Sequence, residues 1–151
     1  MASNSYGYAE SLLRRAFSKL EEARIHLKRA EYAEAISSAQ ECLELSIKAV
    51  FLVLKGDYPK KHEFTEEEFE EVLRAIPKDL SYIKIYKLYL YSKFWSQFYT
   101  VAKYGLEKLG LGPEKLFDRA EAKLALKHAE NSYIAAEALK DMLEMRRMGL
   151  T

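Results

Sequence analysis

Apolar residues recur at alternating spacings of three and four along most of this chain, and this periodicity constrains the fold more than any other feature of the sequence. Such spacing collects the apolar side chains on one face of an α-helix, whereas a half-buried strand needs an apolar residue at every second position. Runs of alternating β-branched residues are absent, and the six glycines and three prolines cluster between the periodic segments. The sequence therefore predicts an all-α fold.

The positions of these breaks divide the chain into five helical segments. They are predicted to run approximately over Tyr6–Arg29, Tyr32–Lys55, Glu66–Ala75, Leu80–Leu109 and Asp118–Met148. Only Ala30 and Glu31 link the first two segments, so we expect an antiparallel hairpin. Thr65 precedes three glutamates, which is the pattern of a helix N-cap followed by an acidic first turn. At 151 residues, the chain is expected to form a single domain over residues 1–151.

Composition limits the class of protein. The single cysteine, Cys42, cannot form a disulfide within the chain, which fits a reducing compartment. The start of the chain lacks the basic-then-apolar order of a signal peptide, and no apolar run approaches the length of a membrane span. We therefore expect a soluble, cytoplasmic protein with no membrane association. Asn and Gln are scarce while Lys, Glu and Tyr are abundant, which is the composition towards which thermophilic proteins drift.

The segment from Leu80 to Leu106 departs furthest from the average composition. It contains no acidic residue, four lysines and nine aromatic residues. Rings and ammonium groups together can bind nucleic acid, because bases stack on aromatic rings and lysines neutralise phosphates. The net charge of the chain is only +1, so any nucleic-acid site must be a local patch. Lys93, Trp95 and Lys103 are the best candidates for such contacts.

Two apolar stripes run along the predicted aromatic helix. One contains Leu88, Tyr91, Trp95, Phe98 and Ala102, and the other contains Ile83, Leu90, Phe94 and Val101. A helix that is apolar on two faces is usually buried on two sides, here by its own bundle and by a second subunit. We therefore expect a homodimer, while nucleotide or RNA contact and simple core packing stay open as alternatives. The residues predicted to form the dimer interface are Tyr91, Phe94, Trp95 and Phe98.

Short motifs in a fixed order cover nearly the whole chain. In the N-terminal half they are Ala16, Ala23, Tyr32, Ala39, the run Glu44–Ala49, Gly56, Pro59 and His62. In the C-terminal half they are Lys103–Gly105, Gly112–Pro113, Ala122, Ala125 and Ala129. Together they resemble the HEPN domain family. The resemblance implies an up-and-down bundle of four to five helices that often pairs into a homodimer.

The same resemblance implies several activities. Many HEPN proteins are metal-independent ribonucleases that use an Arg, four to six spacers and then a His, while others bind nucleotides or pair with a nucleotidyltransferase in toxin–antitoxin systems. No Arg stands at that distance before a His in this chain, and the nearest pair, Arg119 and His128, has eight spacers. We therefore predict a non-catalytic, homodimeric module without a cofactor. It would bind a nucleotide, an RNA or a partner protein.

The first alternative is a ribonuclease with a degenerate active site. Lys123 stands four spacers before His128, but lysine lacks the bidentate fork of arginine, and neither residue lies in the aromatic helix. His62 is either a proton shuttle or phosphate contact on a basic loop, or a hydrogen bond that ties this loop to the bundle, and we favour the tie. A second alternative is a purely structural partner of a nucleotidyltransferase. His62 and Arg119 complete the predicted ligand contacts.

The remaining polar features favour structural roles. Glu44 and Lys48 lie four residues apart and predict a helical ion pair, and Gln40 and Glu41 only partly supply the other polar residues that a ligand site on this face would need. Cys42 is expected to be a buried, inert thiol among small residues. The isolated histidines and the single cysteine lack the spacing of metal ligands, so no metal site is predicted.

Overall fold

The structure is a computed structural model that describes residues 3–150. This range contains six α-helices, joined in part by short 3₁₀ segments, and no strand. The helices are α1 (Ser3–Lys28), α2 (Tyr32–Lys55), α3 (Glu66–Arg74), α4 (Tyr86–Ser96), α5 (Tyr99–Tyr104) and α6 (Arg119–Arg147). The predicted all-α bundle is therefore confirmed.

Helices α1 and α2 form the expected hairpin. Ala30 reverses the chain in the left-handed region (φ 59°), and Glu31 donates its N–H to the carbonyl oxygen of His26. At the far end of α2, Gly56 takes the same kind of conformation (φ 80°) and donates its N–H to the Leu52 carbonyl. This left-handed cap stops the helix at the point where the glycine in the sequence predicts its end.

Helix α2 is the centre of the bundle and is buried around most of its circumference. Its stripe of small residues faces a similar stripe on α6, and both are fully buried. The two backbones approach so closely that the Cys42 Sγ lies 3.8 Å from the carbonyl oxygen of Ala129. Ser46, in the same stripe, donates its hydroxyl to the Cys42 carbonyl (2.8 Å), which leaves no unpaired polar group at this contact.

The prediction of one aromatic helix over Leu80–Leu109 is wrong. A 3₁₀ segment (Lys78–Ile83) is followed by two separate helices, α4 and α5. Lys84 takes the left-handed conformation (φ 60°) and ends the 3₁₀ segment. Between α4 and α5, the Phe98 N–H bonds to the Trp95 carbonyl, which is a tighter turn than that of an α-helix. Neither break contains a glycine or proline, so periodicity alone did not show them.

A further break lies at Gly105 (φ +72°), after α5. A Cβ at this position would stand 2.2 Å from the carbonyl oxygen of Leu111, so only glycine fits without a shift of the backbone. Leu106 and Leu111 then pair in an isolated antiparallel bridge. Helix α6 begins at an Asp118 cap, whose backbone N–H donates to the Glu121 carboxylate (2.9 Å).

Within residues 3–150, no helix is both long enough and apolar enough to cross a membrane.

Candidate functional site

A cleft of about 500 Å³ opens between the α1–α2 hairpin and the α4–α5 segment. A volume of this order is typical of sites for small organic ligands. The break between α4 and α5 contributes to the cleft, because both helices line it together with the loop that follows α2. The side chains that define its chemistry are Arg15, Gln40, Glu44, His62, Tyr99 and Lys103.

Glu44 holds the floor of the cleft together. One carboxylate oxygen accepts a hydrogen bond from Lys48 (3.0 Å), so the predicted ion pair is present. The other oxygen lies 2.6 Å from Nδ1 of His62. This contact ties the loop after α2 to the bundle, which is the role we favoured for His62. It also orients the imidazole and leaves Nε2 without a partner among the described residues.

Tyr99 and His62 form an aromatic wall. Their ring centroids are 5.3 Å apart and the planes are tilted by 30°. The His62 side chain remains 67% exposed, so its outer face is open to the cleft and to solvent. Lys103 lies over the Tyr99 ring (4.4 Å to the centroid) and donates a hydrogen bond to the Tyr99 hydroxyl (2.9 Å). This hydrogen bond raises the pKa of Lys103, which keeps the ammonium group charged.

The charged side chains that line the cleft differ in whether they form an ion pair. Lys19 is engaged by Glu41 (3.1 Å) and Glu22, and Glu44 is engaged by Lys48 and His62. Arg15 and Lys103 form no ion pair within residues 3–150, although the nearby charge of Glu41 also raises the pKa of Lys103. Glu63 is the acidic lining residue that forms no ion pair in this range. The unpaired charged side chains of the lining are therefore two cations and one carboxylate.

Gln40 lies at the base of the cleft. Its Nε2 donates to the Trp95 carbonyl oxygen, which fixes the amide orientation because the reversed amide would place two oxygens in contact. The other end, Oε1, is buried and accepts no hydrogen bond from the described residues. A buried acceptor without a donor costs about 1–3 kcal/mol, so a small shift that brought a donor to this oxygen would be favourable.

His128 belongs to the interior and not to the cleft. Its Nδ1 accepts a hydrogen bond from the Trp95 indole N–H (3.0 Å), and its ring stacks on Tyr91 at 3.9 Å. Burial, followed by the nearby charges of Lys127 and Lys87, lowers the pKa of His128. The histidine is thus a neutral acceptor that joins α6 to α4. Lys123 is exposed five residues earlier on α6, on a different side of the helix, so the structure does not bring this pair together.

The other predicted contact residues are dispersed. Trp95 lines the cleft, but it is only 3% exposed and most of its ring packs inside the chain. Lys93 is exposed and does not line the cleft, and Arg119 is the exposed first residue of α6. Of the predicted ligand contacts, the structure therefore brings together His62, Lys103 and the edge of Trp95.

The predicted dimer-interface residues also differ in exposure. Trp95 is buried, and Tyr91 and Phe98 are partly buried. Phe98 packs against Phe94 and Phe117, and Tyr91 packs on His128 as described above. Phe94 is the one member of this set that the structure leaves exposed (41%). The aromatic segment thus serves mainly as core on one side, while its other side faces solvent.

Arg15, Gln40 and Tyr99 are site residues that we did not single out from the sequence. Arg15 lies on the solvent-exposed face of α1, where an arginine does not by itself indicate a binding site. Tyr99 is one of many aromatic residues in its segment, and its position next to His62 depends on the break before α5. Gln40 enters the sequence analysis only as partial support for Glu44. The pattern Gln40, Glu41, Glu44 is the sequence signal that could have indicated the α2 side of the cleft.

Within residues 3–150, no group of three or more His, Cys, Asp or Glu side chains could hold a metal ion. Cys42 is fully buried, and burial raises its pKa to about 12, so the thiol is unreactive as expected.

Comparisons with known proteins give one family and one fold. The family model of the HEPN domain matches residues 9–141. No curated protein matches the sequence. Among solved structures, the crystal structure of TT1696 from Thermus thermophilus matches with a TM-score of 0.65 and 22% sequence identity, over 87% of this chain and 97% of that chain. At this level of identity, the similarity to TT1696 shows the fold alone.

Proposed function

This chain belongs to the HEPN domain family, and we propose that it is a non-catalytic module that binds a nucleotide, free or within an RNA strand, in the cleft beside α5. The observation that carries this proposal is the imidazole of His62. It is held by Glu44 and Tyr99 with its outer face open, in a cleft that two cations without ion-pair partners also line.

The aromatic wall supports binding of a base. Stacking of a base on an aromatic side chain contributes about 1–3 kcal/mol and needs an exposed, fixed ring. The Glu44 carboxylate and the Tyr99 ring fix the plane of His62, so little rotamer entropy is lost when a base stacks on it.

The cations support binding of a phosphate. Arg15 provides a planar fork of donors that matches phosphate oxygens, and it carries no competing ion pair within the described chain. Lys103 retains two N–H donors beyond the one that it gives to Tyr99. Both residues line the same cleft as His62, so the phosphate and the base of one nucleotide can be engaged together.

Calorimetric titration with AMP, GMP, CMP and UMP in metal-free buffer tests this proposal. We expect at least one of the four nucleotides to bind, with affinity that falls as the salt concentration rises. His62→Ala and Lys103→Glu should each lower the affinity tenfold or more, which corresponds to about 1.4 kcal/mol. Arg15→Ala should also weaken binding. The exposed Lys108 lies outside the cleft, so Lys108→Glu changes the charge equally and should leave the affinity unchanged.

No binding of any of the four nucleotides to the folded protein would count against the proposal, as would equal affinities for the three cleft variants and the wild type. Incubation with a single-stranded RNA without metal addresses the degenerate-ribonuclease alternative. We expect the RNA to remain intact. Cleavage that disappears in His62→Ala would make the protein an enzyme instead.

Homodimerisation and a nucleotidyltransferase partner stay predictions. Because Trp95 is buried and Tyr91 and Phe98 are partly buried, an interface at α4 would have to rely on Phe94 and on neighbours outside the predicted set. Sedimentation velocity measures the oligomeric state directly.

A further inference from the structure

The outward face of α4 carries an apolar stripe that no other part of the described chain covers. The stripe consists of Tyr86, Leu90 and Phe94, at intervals of four residues, and we refer to it as the α4 stripe. All three side chains are exposed, and Leu90 is 59% exposed. The opposite side of α4 buries Leu88 and Trp95, so the orientation of the helix is fixed by its own core. Contiguous exposed apolar side chains of this kind usually mark an interaction surface.

Lysines border the α4 stripe. At 3.6 residues per turn, Lys93 and Lys87 fall on either side of the line through Tyr86, Leu90 and Phe94. Lys84 stands at the start of the helix, between Tyr82 and Tyr86 in sequence. None of these three lysines forms an ion pair within residues 3–150, so their charges are available to a partner. No acidic residue lies between Leu80 and Leu106 to neutralise them.

We propose that the α4 stripe docks an acidic amphipathic helix of a partner protein. The apolar side chains of that helix would lie on Leu90 and Phe94, and its flanking carboxylates would meet Lys87 and Lys93. Helix α4 has 11 residues and is therefore about 16 Å long, so it offers about three turns of contact surface. Apolar anchors at helical spacing, framed by complementary charge, are the recurrent way in which a helix is recognised on a groove or face.

Charge disfavours a second copy of the chain as the occupant. A two-fold interface brings the same patch of both subunits together, so the lysines beside one α4 stripe would face the lysines beside the other. No acid in the segment could relieve that repulsion.

The composition of the stripe disfavours nucleic acid. Leu90, at its centre, has no ring on which a base could stack, and Tyr86 is the one member of the stripe with a ring that packs on no other aromatic ring within residues 3–150. The Phe94 ring is already engaged edge-on with Trp95 (4.9 Å, 88°) and with Phe98 (5.5 Å). An apolar protein side chain fits this surface better than a base does, because it needs contact area and not a free ring face.

A designed peptide tests the proposal. The probe is a labelled amphipathic peptide of roughly 18 residues, long enough to form a helix, with leucines on one face and glutamates beside them. A matched peptide carries lysines in place of the glutamates. We expect the acidic peptide to bind in fluorescence anisotropy with salt-dependent affinity.

Leu90→Glu and the double variant Lys87→Glu/Lys93→Glu should each weaken that binding at least tenfold, and both change exposed positions that the core does not need. Ile134→Glu, at an exposed apolar residue of α6, is the matched control and should bind as the wild type does.

Several results would overturn the proposal. They are absence of binding of the acidic peptide at millimolar concentration, equal binding of the basic peptide, or an affinity that neither α4 variant changes. A wild-type dimer that becomes monomeric in Leu90→Glu would assign the surface to a second copy. Loss of binding to single-stranded RNA in that variant would assign it to nucleic acid.

The cleft variant Lys103→Glu should leave peptide binding intact, and Leu90→Glu should leave nucleotide binding intact, so this proposal and the proposed function can fail separately.

Discussion

Glu44 has a contact in the structure, with His62, that its sequence neighbours do not predict. In the sequence, Glu44 indicates only a helical pair with Lys48, whereas in the structure it also positions the imidazole of His62 at the cleft. Cys42 is buried, as its neighbours in the sequence predict, because it lies in the stripe of small residues on the central helix α2. The environment of His128 lowers its pKa and makes it a neutral acceptor for the Trp95 indole N–H.

We expect replacement of Gly105 by alanine to destabilise the protein more than the same replacement at Gly110. Gly105→Ala forces a left-handed conformation on alanine and also places its Cβ 2.2 Å from the Leu111 carbonyl oxygen. Gly110 has a similar φ (+69°), but no atom lies within 4 Å of the position that a Cβ would take there, so Gly110→Ala carries the conformational cost alone, about 1–2 kcal/mol. Urea unfolding should show a clearly larger loss of stability for Gly105→Ala. Equal losses in the two variants would mean that the loop relaxes around the added methyl group.

At the scale of elements, the helices begin and end where local chemistry satisfies their terminal groups. Gly56 closes α2, and Asp118 with Glu121 opens α6. The aromatic segment differs, because its two internal breaks rest on residues that fit a helix equally well. Lys84 takes the left-handed conformation and Phe98 also departs from helical angles, so the helix preferences of the residues themselves do not account for these breaks.

The N-cap of α3 offers a test at this scale. The Thr65 hydroxyl accepts from the Glu68 N–H (3.1 Å), and the Glu68 carboxylate accepts from the Thr65 N–H (2.8 Å). Thr65→Ala removes the first bond and should lower the free energy of unfolding by about 1 kcal/mol. Thr65→Ser retains a hydroxyl and should stay close to the wild type in the same chemical denaturation experiment. If serine loses as much as alanine does, the hydroxyl is not the source of the stability.

At the scale of the whole molecule, α2 organises the bundle, and Trp95 connects the aromatic segment to it. The Trp95 carbonyl accepts from Gln40 of α2, and its indole donates to His128 of α6. The same α4 helix lines the cleft with one side and presents the α4 stripe with the other. Packing of this one element therefore positions both surfaces for which we propose a role.

Trp95→Ala measures the strength of that connection. Removal of a buried indole and of its hydrogen bond should cost about 3–5 kcal/mol in thermal or chemical unfolding. Phe94→Ala, at the neighbouring and exposed ring, should cost less than about 1.5 kcal/mol, because much of that ring is already in water. A small effect of Trp95→Ala would show that the bundle tolerates a loose α4. It follows that Trp95 is a poor choice for tests of dimerisation, since its loss affects the fold itself.

Much of the fold was predictable because its signals are local. The α1–α2 hairpin, the N-cap at Thr65 and the last helix from Asp118 each depend on residues within one or two turns of each other. The site was predictable only in part. His62, Lys103 and Trp95 are predicted contacts that line the cleft. Arg15 and Tyr99 are not among the predictions, because nothing in their immediate sequence distinguishes them from surface or core residues, and Gln40 enters only as partial support for Glu44.

The sequence by itself determined the class of the fold and the membership in the HEPN domain family, since helical periodicity and the order of motifs are properties of the linear sequence. Only the tertiary structure decided where the aromatic segment breaks, which of its rings are buried, and that Arg15, His62 and Lys103 meet at one cleft. The physical reason is that a helix forms from interactions between residues three and four apart, while a cleft forms from contacts between elements that are distant in the sequence.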